Sequence, residues 1–284
     1  MGSTVAGVAL AAFASVLFNA AIVIQAVEAR QVSNEHGLRL SLLGKLLRRR
    51  RWLLGTALGA TAFPLQTVAL LLAPLTAVQP ADATGLLVLL FLGSRTLGER
   101  VGPREIGAVA AIVVGIVVLT LAAPKREVTH VDGSDVLLPL LAIAFVALAP
   151  FALRRWLATD SMLVVIGAGF AFALASFSAK LVADAIERQN WVVLALMLGV
   201  AGLAALAGTL TEQTALQRRP ATAVAPVIFA IELLAPVALA VLVVGEDWSS
   251  SVIGILAALG LVTAGTFVLG RTPSVGRMLE ASSE

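Results

Sequence analysis

Nine apolar runs, each long enough to cross a hydrocarbon core, follow one another along this chain with short basic connections between them. A spanning helix needs about 20 mostly apolar residues, because each adds about 1.5 Å across a core about 30 Å thick. The runs lie near 4–28, 51–73, 74–95, 104–123, 135–155, 161–184, 191–215, 220–244 and 251–270. Pro74 and Pro220 fall at the first turns of the third and eighth runs, where a missing N–H is tolerated. A soluble fold could not hide this much apolar side chain. Of 284 residues, 59% are hydrophobic and only 13% charged, against roughly half and a quarter in an ordinary soluble domain. That balance excludes a soluble enzyme, a nucleic-acid-binding domain and a disordered scaffold. The expected fold is an all-α membrane protein of nine transmembrane helices.

Lys and Arg set the orientation. With the amino terminus outside, the inner connections collect Arg30, Arg39, Lys45, Arg48 to Arg51, Arg95, Arg100, Arg104, Arg154, Arg155, Arg218, Arg219, Arg271 and Arg277. The outer ones hold only Lys125, Arg126 and Arg188. This positive-inside bias puts the carboxyl terminus in the cytoplasm and predicts a multi-pass protein of a bacterial inner (plasma) membrane. Trp52, Trp156, Trp191 and Trp248 fall at run ends, where an indole prefers the headgroup level. The basic stretch Lys45 to Arg51 reads as a topology anchor that also suits anionic lipid headgroups. The net charge of +3 is therefore a matter of topology and implies no nucleic-acid partner. The first run is too long for a cleavable signal and lacks a basic leader. The chain has no Cys, and its two histidines, His36 and His130, lie in polar connections. No metal or cofactor is expected, and no catalytic set is present.

The chain also repeats itself. Residues 73–80 read A-P-L-T-A-V-Q-P and residues 219–226 read R-P-A-T-A-V-A-P. Each block opens a run that ends in Gly-Glu, at Gly98-Glu99 and at Gly245-Glu246, and resumes with Ile-Gly, at Ile106-Gly107 and Ile253-Gly254. A second match pairs the sixteen residues from Phe13 with those from Phe172. The third run enters from outside and the eighth from inside, so matching segments cross in opposite directions. An inverted repeat points to a transporter with its site near the midplane between halves. The halves would span 1–123, with four helices, and 135–270, with five; 124–134 is an external loop and 271–284 a cytoplasmic tail. Duplication kept only for packing, as in a membrane scaffold, is the other reading.

The P-x-T-A-V-x-P openings, the Gly-Glu ends and the Ile-Gly resumptions resemble the drug/metabolite transporter superfamily, of the EamA-like type. Members usually have ten helices in two inverted halves, and this chain lacks the first. Nine helices with an outside amino terminus look more like the NIPA-type magnesium transporter branch, as do the first run, the Ala73 to Pro80 segment and S-F-S-A-K ending at Lys180. That branch carries Glu about ten residues before the Ala-Pro, where this chain has Phe63. The resemblance implies a secondary transporter of a small solute or ion working by alternating access, with proton coupling one expectation for it. A magnesium or divalent-cation transporter and a non-transporting membrane subunit remain the alternatives. The partners would be the solute, membrane lipids and either a second copy or another membrane protein.

A charge at mid-membrane costs roughly 2.5–3.5 kcal/mol on insertion scales, so each polar residue there needs a reason. Glu232, near the middle of the eighth run, is the expected proton- or cation-binding carboxylate, or else a neutral acid that bonds helices together. Asp82 lies roughly 12 Å in from the outer surface by helical rise, and Lys180 lies in the same outer half. The two would pair as a gate, or Lys180 would hold an anionic substrate or snorkel outward. Glu212, with Gln213 beside it, matches Gln66 of the first half and sits on a face of small residues, Ala201, Ala205 and Gly208. Asn19 and Gln25, with Ser176 and Ser178, should face protein rather than lipid and are candidates for the cavity lining. Pro64, Pro80, Pro226 and Pro236 interrupt helix ladders and are the expected hinges. Gly98-Glu99-Arg100 and Gly245-Glu246-Asp247 are expected to be helix-end turns, solvated or capping neighbouring helices, with no substrate role.

Overall fold

A computed structural model describes residues 2–73, 75–122, 133–156, 161–187, 189–244 and 252–271. The described residues are all helix and turn. Ten α-helices run α1 Gly2–Ala29, α2 Leu40–Leu46, α3 Arg50–Leu72, α4 Leu75–Thr96, α5 Pro103–Ala122, α6 Gly133–Ala152, α7 Met162–Glu187, α8 Trp191–Arg218, α9 Ala221–Val244 and α10 Val252–Gly270. Nine of them fall on the nine apolar runs. The tenth, α2, with a 3-10 turn at Asn34–His36 before it, folds from the basic connection after α1. Two helices, α1 over Thr4–Ala29 and α8 over Trp191–Arg218, are long and apolar enough to cross a membrane among the described residues.

Helix neighbours come in matching sets. α1 packs on α3 and α4, as α7 packs on α8 and α9, while α6 lies against α7. α5 and α10 pack together across the middle of the chain. Small residues set these approaches. A Cβ on Gly115 would stand 2.7 Å from Val262 Cγ2, and one on Gly265 2.7 Å from Ile112 Cγ1, so glycine lets the two backbones close. Numbering rises along α5 as it falls along α10, which makes the pair antiparallel.

The core gathers around the first half of α9. Residues 221–228 are all buried, because this segment is apolar on every side and has helices all round it. Val224, Val227 and Ile228 meet Leu86 and Leu89 of α4, Val109 and Ile112 of α5, Val23 of α1 and Val165 of α7. The outward faces are apolar too: Phe63 is 76% exposed, Leu71 81% and Phe145 77%. Contiguous exposed apolar surface of this kind marks a face meant for something other than water.

Two expectations about helix ends need correction. Trp156 and Trp191 are well exposed, as a headgroup anchor would be. Trp52 is buried, because α2 folds over it and packs Leu42, Leu43 and Leu46 on its ring together with Leu210. The basic stretch is also more than an anchor. Arg49 Nη1 donates to Glu28 Oε2 at 2.9 Å and to Gln31 Oε1 at 2.6 Å, tying the start of α3 to the end of α1.

Candidate functional site

Glu232 lies in the interior of α9, beyond its fully enclosed first half, and is partly buried. Ser176 Oγ of α7 donates to Glu232 Oε1 at 2.9 Å. Gly169 eases this approach: a Cβ there would stand 2.7 Å from Ile231 Cβ, so the absence of a side chain lets α7 come close to α9. Glu212 of α8 is buried and close enough to feel the charge of Glu232. Among the described residues Glu212 has no hydrogen-bond or ion-pair partner. Its helix packs closely on α7 at Gly208, where a Cβ would stand 3.0 Å from the Phe172 ring. A carboxylate and a hydroxyl from two helices thus meet, with a second buried acid, Glu212, on a third helix. Such a set can bind a proton or a cation, with Ser176 holding one carboxylate oxygen in place.

Beside it runs a polar ladder that joins α1, α3 and α8. Trp52 Nε1 donates to Gln213 Oε1 at 3.1 Å, and Gln213 Nε2 donates to Gln25 Oε1 at 2.9 Å. Gln25 Nε2 in turn donates to Thr56 Oγ1 at 3.3 Å. Gln213 is fully buried, and its amide holds α8 against α1 and α3 at one level.

The remaining expected site residues scatter. Asn19 is buried, donates to its own helix at Ser15 O (2.9 Å) and lies under Gly85 of α4, so it serves the α1–α4 contact. Ser178 is fully buried, its hydroxyl without a partner among the described residues; the serine that reaches Glu232 is Ser176. Gln66 is half-buried on α3. Pro64 and Pro226 lie inside α3 and α9, which continue through them. Pro80 and Asp82 belong to α4, Lys180 to α7 and Pro236 to α9, but their side chains lie outside the described residues, as do Pro74, Trp248 and the Gly245-Glu246-Asp247 turn.

Glu99 is the residue whose surroundings the sequence reading left unspecified. Gly98, at φ +64°, ends α4 by turning the chain through the left-handed region that glycine enters freely. Glu99 then enters the protein and is only 5% exposed. One oxygen accepts from Ala221 N at 2.7 Å and from the Arg30 guanidinium; the other accepts from Thr222 N at 2.9 Å and Thr222 Oγ1 at 2.6 Å. A carboxylate at a helix start satisfies orphan N–H groups and suits the positive end of the dipole. Arg30 further reaches Leu216 O and Arg219 O, both at 3.4 Å. The ends of α1, α4 and α8 and the start of α9 are thereby locked together. The capping reading of the Gly-Glu turn holds for Glu99, and the helix it caps is α9.

Two cavities lie at this same end of the molecule, one of about 300 Å³ beside Lys45 and Arg48 and one of about 460 Å³ beside Arg39 and Arg154. Neither of them is lined by Glu232. No protein-family model, curated protein or solved structure matches the chain.

Proposed function

We propose that the chain is a nine-span secondary transporter of an inner membrane, of the drug/metabolite transporter kind, that carries a small solute by alternating access between two inverted halves. Glu232, bonded to Ser176 in the interior of α9, is the observation that carries this reading. A carboxylate so placed needs a reason, and binding a coupling ion or the solute is one. Three further features support it. The outward faces of the helices are apolar, as lipid requires. The end of α4 meets the start of α9, so these two matching helices run in opposite senses. The connections that the charge bias assigns to the cytoplasm, after α1, α4 and α8, meet at the Arg30–Glu99 junction. In this account that junction closes the inner side, and its opening releases the solute inward.

A magnesium or divalent-cation substrate is the second reading. A second buried acid, Glu212 of α8, favours it, because a hard cation takes several oxygen ligands and a lone acid would not serve. Flux into proteoliposomes carrying an internal pH reporter tests both. Mg2+ flux by the wild type that collapses in Glu232→Gln supports the cation reading. Flux of an organic solute with the same dependence supports the broader one. A folded wild type that moves nothing, and that purifies with a stoichiometric partner, would identify a non-transporting subunit and refute transport.

A further inference from the structure

The larger of the two cavities is a groove between α2, α6 and α8, with walls and rim of different chemistry. Leu148 and Phe151 of α6 and Leu203 and Leu206 of α8 line it, and Arg39 and Arg154 stand on its rim. The walls are open: Leu148 is 54% exposed and Leu203 70%. Both arginines are exposed, and among the described residues neither has an acidic partner. Arg39 precedes α2 without bonding its backbone through the side chain. The smaller cavity differs: two of its three cations are engaged, Arg49 with Glu28 and Gln31 and Lys45 with His36 at 2.6 Å, which leaves Arg48 as its one cation whose side chain has no partner among the described residues.

We propose that this groove is a binding site for an anionic phospholipid of the surrounding leaflet. Its phosphate is held between Arg39 and Arg154, and an acyl chain lies along Leu148, Phe151, Leu203 and Leu206. The charge pattern selects this occupant. Guanidinium groups match phosphate oxygens in bidentate geometry, and apolar walls beside a basic pair suit one molecule with an anionic head and a hydrocarbon tail. A purely apolar partner would leave two cations unmatched, and a soluble phosphate would leave the leucine wall bare. The proposal rests on the reading of these helices as membrane-spanning.

The test is native mass spectrometry of the full chain in detergent, titrated with phosphatidylglycerol, phosphatidylcholine or glycerol phosphate. Two basic contacts at roughly a factor of five each predict phosphatidylglycerol bound about thirtyfold more tightly than phosphatidylcholine. The double variant Arg39→Gln, Arg154→Gln should erase that preference. Leu203→Asn should weaken both lipids and keep the preference. Equal binding of the two lipids, or a preference that survives the double change, overturns the proposal. Displacement of phosphatidylglycerol by equimolar glycerol phosphate overturns the lipid assignment in favour of a free phosphate compound. Changes in the melting temperature without lipid show whether a variant has folded, and Arg39→Lys with Arg154→Lys, which keeps the charge and loses the fork, should restore part of the preference. A chain that stays in solution without detergent overturns the premise itself, and that is seen before any lipid is added.

Discussion

Glu99 and Thr222, 123 positions apart, are joined twice through one carboxylate oxygen, from the Thr222 amide at 2.9 Å and from its hydroxyl at 2.6 Å. The acid that follows the third apolar run thus caps the eighth, and the same carboxylate neutralises Arg30 at the end of the first. One side chain therefore fixes how the ends of α1 and α4 meet the start of α9.

Glu99→Ala should be among the most damaging single changes in the chain. It strips the cap from α9 and leaves the largely buried Arg30 guanidinium without its counter-charge, a loss of about 3–5 kcal/mol for a broken buried pair. Unfolding in mixed micelles against a graded denaturing detergent measures it. Glu99→Gln, which keeps an acceptor for Thr222, should recover part of the loss. An unfolding curve unchanged by Glu99→Ala would mean that the junction is not formed in the protein.

Gln213→Ala should remove the middle of the ladder and leave the Trp52 indole N–H and the Gln25 amide oxygen without their partner. Buried polar groups left without partners cost about 1–3 kcal/mol. Trp52→Phe keeps the apolar contacts with Leu42 and Leu46 and loses one hydrogen bond, so about 1 kcal/mol is expected. Because the two changes break the same bond, the double variant should cost less than the sum of the singles. Strict additivity in equilibrium unfolding would contradict the ladder.

Helix spans were legible in the sequence because a run of about 20 apolar residues is a long, redundant signal. α2 was not, since seven residues in a basic connection carry too short a pattern, and its apolar side is recognised only once Trp52 and Leu210 lie beneath it. That is also why Trp52 reads as a headgroup anchor: an indole at a helix start looks the same whether lipid or another helix covers it. Glu232 was legible as a lone acid deep in an apolar run, whereas its contact with Ser176 rather than Ser178 depends on the rotation of α7. The Gly-Glu turn announced a charge that is either solvated or caps a neighbouring helix. Which helix it caps is a long-range fact that local spacing does not carry.

Gly265→Ala should destabilise the α5–α10 seam. The new methyl would stand 2.5 Å from the Ala108 carbonyl oxygen, and backbone cannot yield as a flexible side chain can. Overpacking of this kind costs about 1–3 kcal/mol. Gly260, on the same helix, has nothing within 4 Å of a Cβ, so Gly260→Ala should stay within about 0.5 kcal/mol of the wild type. Melting temperatures of the two variants in one detergent give the comparison, and equal effects would contradict the seam.

The central claim is that matching helices cross the membrane in opposite directions, and the absence of Cys from the chain makes it directly testable. Single cysteines are placed at Ser33, after α1, and at Gln189, after its counterpart α7, and intact cells are treated with a membrane-impermeant thiol reagent. The account predicts that position 189 is labelled from outside, while position 33 is protected until the membrane is opened. Labelling of both positions, or protection of both, in folded protein would place the two helix ends on one side and contradict the inverted arrangement.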